Sequence, residues 1–166
     1  MSILRLIIVL FFLNSCSVKY SLTGASISPE TKTFQVNYFQ NNAPLIEPGI
    51  ERDFTNKLID LLINQTNLEL VKSNGDLIYE GEIVEYRISP TTATANNTAA
   101  QNRLTVGINI RFFDKKDSES DFEKRFSFYY DYPGSVQLIG GQRDTALEEI
   151  FERITQDVFN ASLAKW

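Results

Sequence analysis

Two segments of this chain carry one apolar stripe each at helical spacing, and the strands between them carry one apolar face each. Ile50, Phe54, Leu58, Leu61 and Leu62 recur three and four residues apart, with Glu51, Arg52, Asp53, Lys57 and Asp60 on the other side. This spacing predicts an amphipathic helix over Gly49–Gln65, starting just after Pro48. Near the end of the chain, Arg143–Ala164 places Leu147, Ile150, Phe151, Ile154 and Val158 on one stripe, with Phe159 at its edge. Asp144 is the candidate N-cap, and Glu148 and Glu149 favour the positive end of that helix dipole. A one-sided helix must bury its stripe against something. Two helices side by side on one face of a four- or five-stranded, mostly antiparallel sheet satisfy every stripe and face at once. The expected fold is an α+β two-layer sandwich.

The strand readings follow the two-residue period. Thr33–Phe39 alternates Phe34, Val36 and Tyr38 against Gln35 and Asn37. Leu68–Lys72 and Leu77–Ser89 flank Ser73-Asn74-Gly75-Asp76, and Asn-Gly is hairpin chemistry, so these two strands are expected to be antiparallel neighbours. Leu77, Tyr79, Gly81 and Ile83 share one phase and Val84, Tyr86 and Ile88 the other, which predicts a bulge near Gly81–Val84. Thr91–Gln101 holds only small and polar residues and reads as a long mobile loop. Arg103–Asp114 is a strand with Leu104, Val106, Ile108, Ile110 and Phe112 inward, followed by a charged turn at Lys115–Ser120. Asp121–Asp131 is a further strand with Phe122, Phe126, Phe128 and Tyr130 on one face, closed by Pro133-Gly134.

Ahead of this domain lies a leader. Arg5 precedes the apolar run Leu6–Leu13, and Asn14-Ser15 precedes Cys16, the single cysteine. Basic residue, apolar run and small residue are the parts of a secretory signal, and the run is too short to span a bilayer. Leu13-Asn14-Ser15-Cys16 also resembles the bacterial lipobox, in which the thiol takes a diacylglyceryl group and becomes the mature N-terminus. The expected organisation is a signal over 1–15, acylated Cys16 and a polar tether over 16–32, and one α+β domain over 33–166. The chain counts 16 basic and 21 acidic residues. Losing Arg5 with the leader leaves 15 against 21, a net charge of −6. Such acidity argues against nucleic acid as a partner. With one cysteine, no internal disulfide can form.

Little in the chain suggests catalysis, and it is expected not to be an enzyme. There is no histidine, the commonest general base and metal ligand. Acylation would use the one thiol. Gly140-Gly141 falls far short of a phosphate loop. Glu80, Glu82 and Glu85 read as the solvated side of a strand. Asp114, Asp117, Glu119 and Asp121 form an acidic turn interrupted by Lys115 and Lys116 and lacking calcium-loop spacing, so no metal and no cofactor are expected. Tyr129 and Tyr132 are the aromatic residues left as exposed contacts. Binding through a surface remains. Arg103, Arg111, Lys115, Lys116 and Arg125 are the candidate contacts, and outward Arg111 and Arg125 on adjacent strands could hold a phosphate between them. The competing reading pairs them with Glu123 on the same face.

Ser21-Leu22-Thr23-Gly24-Ala25-Ser26-Ile27, Tyr38–Leu45, Gly75–Ile83, Ala99–Thr105 and the closing Asp157–Trp166 together resemble the Bacteroidetes branch of the LptE family. These are outer-membrane lipoproteins of lipopolysaccharide assembly. The resemblance implies a small α/β sandwich anchored on the periplasmic side of the outer membrane. It also implies a partner, the LptD β-barrel, which the lipoprotein plugs, and contact with lipopolysaccharide. The alternative is a periplasm-facing lipoprotein that binds another envelope protein or a cell-wall component.

Overall fold

The computed structural model describes residues 27–93 and 99–164. Cys16, the leader and most of the tether lie outside the described residues, as do Thr94–Thr98. Strands β1 (Thr33–Val36) and β2 (Gln40–Asn41) lead into helix α1 (Ile50–Gln65). Then come β3 (Glu69–Leu70), the long strands β4 (Leu77–Ala93) and β5 (Ala99–Asp114), and β6 (Phe122–Pro133). Helix α2 (Gly140–Leu163) ends the domain. The sheet has six strands in the order β3-β1-β4-β5-β6, with β2 also pairing β4. Both helices pack against one face, giving the expected α+β sandwich. The antiparallel part is β4-β5-β6; the short strands β1, β2 and β3 pair in parallel and bring the count to six.

The core follows from the stripes. Ile50, Phe54, Leu58 and Leu62 of α1, and Leu147, Ile150, Phe151, Ile154 and Val158 of α2, are all buried against Leu104, Val106, Ile108, Ile110 and Phe112 of β5. Phe39, Phe54 and Phe151 meet edge to face, with ring centres 4.9 and 5.4 Å apart, and fasten β1–β2, α1 and α2 together. Phe159, at the edge of the α2 stripe, is buried as well, 1% exposed. Under α2's last turns the Tyr79 hydroxyl meets Ser162 Oγ at 3.0 Å, and burial pushes the phenol well above its ordinary pKa.

Several expectations are corrected. Leu68–Lys72 and β4 are not a hairpin, because β1 lies between β3 and β4 and all three run parallel. The Asn-Gly segment crosses β1 instead. Asn74 takes the left-handed conformation (φ 62°), and Gly75 rides so close to β1 that a Cβ there would sit 2.8 Å from the Gln35 nitrogen. Asp76 locks the crossing by accepting from the Lys32 and Thr33 amides at 2.9 and 3.0 Å. The first strand ends at Val36, so Phe39 turns inward and Tyr38 outward, 59% exposed. Thr91–Gln101 is not a loop throughout: Thr91–Ala93 and Ala99–Gln101 continue β4 and β5, with Thr92 opposite Gln101 and Ala93 opposite Ala99. Helix α2 starts at Gly140 with Ile139 as N-cap, so Asp144 lies inside it and caps nothing. The bulge is real: the register shifts between Ile83 and Glu85, leaving Val84 unpaired.

Candidate binding surface

The face of the sheet opposite the helices is built by β4, β5 and β6. Their register sets Glu80, Arg111 and Glu123 in one row, and Glu82, Asn109 and Arg125 in the next. Further rows follow: Glu85, Gly107 and Ser127; Arg87, Thr105 and Tyr129; Ser89, Arg103 and Asp131. Arg111 and Arg125 do share this face on diagonal positions, as their strands predict. Each, however, turns toward β4. Arg111 donates to Glu80 at 3.0 Å and to Glu82 at 3.3 Å. Arg125 lies across Gly107 to reach Glu85, which also accepts from Arg87 at 2.8 Å. Gly107 permits this crossing, since a Cβ there would come within 2.8 Å of the Arg125 guanidinium. Glu123 stands opposite Arg111 in register, but the carboxylates that hold the two arginines are Glu80, Glu82 and Glu85.

Arg103 makes a two-pronged pair with Asp131 at 2.7 and 2.8 Å, and its guanidinium stacks 3.6 Å above the Tyr129 ring. The hydrogen bond from Arg111 holds the Glu80 carboxyl below its ordinary range, and Arg103 does the same for Asp131. A polar sheet face has thus become a lattice of charge-assisted bonds. Lys115 and Lys116 stand apart, in the turn after β5. The Lys115 ammonium donates to Asn74 at 2.6 Å, and neither lysine makes an ion pair among the described residues. The candidate contacts therefore divide into three neutralised arginines on the sheet and two lysines at its end. Tyr129 is 44% exposed on the lattice face, whereas Tyr132 points to the helix side and is 4% exposed.

Among the described residues no group of histidine, cysteine or acidic side chains could hold a metal ion, and no helix is long and apolar enough to cross a membrane. The acidic turn at Asp114–Asp121 is held by its own chain: Asp121 accepts from the Asp114 amide and Asp114 from the Lys116 amide, both at 2.8 Å.

A feature invisible to periodicity is the bare upper edge of β4. Beyond Ile83 this strand pairs only with β5 among the described residues. The chain leaves the edge at Asn42, whose amide donates to the Ile83 carbonyl at 2.9 Å. Pro44 and Leu45 then stand across a groove of about 430 Å³ from Val84, Tyr86 and Ile88, with Glu85, Arg87 and Arg125 of the charged face lining it too. Leu45 is 53% exposed and Ile88 43%, while Tyr86, two residues earlier, is 5% exposed.

Solved structures share this architecture. Lipoprotein B from Nitrosomonas europaea superposes with a TM-score of 0.56 at 10% identity, covering 87% of both chains. A hypothetical protein from Chlamydia trachomatis gives 0.55 at 11% identity, over 81% of this chain and 99% of that one. A minor lipoprotein from Acinetobacter baumannii gives 0.50 at 14% identity, over 82% of this chain and 98% of that one. At such identities the likeness shows the fold alone. No curated protein matches the chain in sequence. The LptE lipopolysaccharide-assembly family model matches residues 31–162, nearly the whole helix-on-sheet domain, and the chain belongs to that family.

Proposed function

We propose that this protein is an outer-membrane lipoprotein, acylated at Cys16 and held on the periplasmic side, that partners and plugs the LptD β-barrel in lipopolysaccharide transport. The observation that carries the reading is the family match over residues 31–162, which coincides with the folded domain. The lipobox ahead of it and the lipoprotein folds it resembles support an anchored position. A diacylglyceryl group plus a further acyl chain would satisfy the two-signal requirement for stable anchoring, so the domain itself need not be greasy. The ion-paired sheet face suits a water-filled lumen, because its charges are already matched and need no counter-charge from the wall. The role is non-enzymatic: binding and position do the work.

Arg103, Arg111, Lys115, Lys116 and Arg125 are the proposed contacts to the barrel or to lipopolysaccharide. Their geometry ranks them. An anionic phosphate reaches the three arginines only by displacing a carboxylate that already holds the same charge, whereas Lys115 and Lys116 can take it without that exchange.

A mild-detergent pull-down of the full-length protein from outer membranes tests the reading. Recovery of the LptD barrel in near-equal amount is expected; recovery of the lipoprotein alone, or with another envelope protein, would sink it. Cys16→Ala is expected to release the protein into the soluble fraction, and unchanged membrane association would refute acylation as the anchor.

A further inference from the structure

Residues 27–32, the last of the expected tether, lie on the domain. Ile27 packs against the core, and Thr31, whose amide donates to the Ser28 carbonyl at 3.0 Å, is 4% exposed. The Lys32–Thr33 peptide is held at both of its groups. Its carbonyl accepts from the Glu69 amide of β3 at 2.9 Å, and its N–H donates to Asp76 Oδ2 at 3.0 Å. The same carboxylate oxygen accepts from the Lys32 amide at 2.9 Å and from the Thr33 hydroxyl at 3.0 Å. The Asp76 amide donates back to that hydroxyl at 3.0 Å.

The ladder between β1 and β4 begins only at Phe34 and Leu77. Asp76, one residue ahead of Leu77, extends that ladder with its side chain to the point where the chain enters the sheet. Entering segments fray unless something ties them down, and bonds to a charged acceptor are the strong kind. Asp76 is itself well rooted. Its carbonyl accepts from the Lys115 amide at the end of β5 at 3.0 Å, and the Gly75 amide beside it donates to Gln35 Oε1 at 3.3 Å. A load on Lys32 therefore passes to β4 and β5, not to the two-residue strand β3.

We propose that Asp76 is a clamp that ends the tether at Ile27, so that a pull on the lipid anchor is carried into the central strands instead of peeling β1 from its end. The proposal rests on the anchored-lipoprotein reading above. Ile27 stands eleven residues on from Cys16, and Thr33 seventeen. At full extension that is a reach of about 38 Å with the clamp closed and about 60 Å with it open. The shorter reach keeps the domain at a higher effective concentration beside a partner held in the same membrane.

The test follows trypsin cleavage of the full-length protein in mild detergent, with the products identified by mass spectrometry. Lys32 is exposed, so the cut after it is limited by release of its peptide groups and reports how often the clamp opens. The cut after Arg111, in β5 between β4 and β6, reports unfolding of the whole domain. In wild type the Lys32 cut is expected to run ahead of the Arg111 cut and to change little with low urea, because a local opening exposes little surface. Asp76→Ala is expected to speed the Lys32 cut at least about tenfold with that urea dependence still flat. Thr33→Val, which keeps a strand former and removes only the hydroxyl, should speed it about threefold and covers the case in which Asp76→Ala does not fold. An unchanged Lys32 cut in the folded variants would overturn the clamp. So would Lys32 and Arg111 cuts that share one steep urea dependence, since residues 27–32 would then open only with the whole domain. If Cys16→Ala stays on membranes, the clamp bears no lipid anchor and the proposal falls with that reading, whatever the cuts show.

Discussion

The bond between Tyr79 and Ser162 makes a sharp test of how α2 is locked to the sheet, because its two partners are not equivalent. Ser162 Oγ has one proton, and it donates that proton to the Val158 carbonyl at 2.9 Å. That use of the proton assigns the Tyr79 hydroxyl, 3.0 Å away, as the donor to Ser162. Tyr79→Phe removes the donor and leaves Ser162 with its helix carbonyl, so nothing buried is stranded. The expected cost is the net worth of one hydrogen bond, about 1 kcal/mol. Ser162→Ala removes the acceptor and leaves a phenol that is 0% exposed with no partner. Its cost is that of an unsatisfied buried hydroxyl, about 1–3 kcal/mol. Adding Tyr79→Phe to Ser162→Ala should then restore stability, since the stranded group is gone. Urea unfolding of the three variants measures this directly. On a domain of this size the difference between single variants corresponds to roughly 3–5 °C in melting temperature. A Tyr79→Phe loss equal to or larger than the Ser162→Ala loss would refute the donor assignment, and a double variant weaker than both would refute the stranded-hydroxyl account.

Gly81→Ala should unfold the domain or cost several kcal/mol, because its Cβ would lie 2.0 Å from the Asn109 backbone oxygen. At Gly107→Ala the nearest atoms the new Cβ meets belong to the flexible Arg125 side chain, so denaturant unfolding should show a loss below about 1 kcal/mol, with NMR reporting Arg125 freed from Glu85. Arg111→Met leaves Glu80 and Glu82 as half-buried like charges; a loss of about 1 kcal/mol is expected, and the Glu80 carboxyl should titrate higher by NMR. The folded carboxyls of Asp76 (held by the Lys32 amide), Glu80 and Asp131 lie below their ordinary values, so the unfolded chain binds more protons in acid. Their stabilisation is complete above the unfolded values and is lost as pH falls through the folded ones. Urea midpoints should therefore be flat near neutrality and drop below about pH 4, and Asp76→Asn should flatten that drop.

What was legible in the sequence was whatever a single element decides for itself. The stripe of α1 and the alternation of β5 were visible because burial on one side fixes the residue types along that side. The misreadings needed a second element. Asn74-Gly75 has hairpin chemistry, but nothing local says that β1 will occupy the place between β3 and β4 and turn a hairpin into a crossing. Thr91–Gln101 looked like a loop because its residues are small and polar, yet threonine suits a strand once β5 is there to pair with it. Tyr132 lies one residue past the clean alternation that ends at Asp131, and only pairing with Asn102 of β5 keeps it in β6, on the helix side. The partners of Arg111 were hidden for the same reason. Only the register across β4 and β5 shows that Glu80 and Glu82 flank it.

The same dependence on pairing explains how one strand can present two surfaces. Before the bulge at Val84, β4 is a central strand, hydrogen-bonded on both sides, and its outer residues Glu80 and Glu82 are occupied by Arg111. After it, β1 and β2 have ended, and the strand becomes an edge without changing its composition enough to protect itself. Leu45 and Ile88 stand exposed there, beside the Glu85, Arg87 and Arg125 cluster of the charged face. Charge changes at Arg103, Arg111 and Arg125 should therefore cost stability as well as partner binding, whereas changes at Lys115 and Lys116, outside the lattice, should cost partner binding alone. Measuring both quantities on both sets of variants separates charges that brace the sheet from charges that are free to meet a partner. Equal loss of stability from Arg103→Met and Lys116→Met in urea unfolding would show that the lattice does not brace the sheet and that this division is wrong.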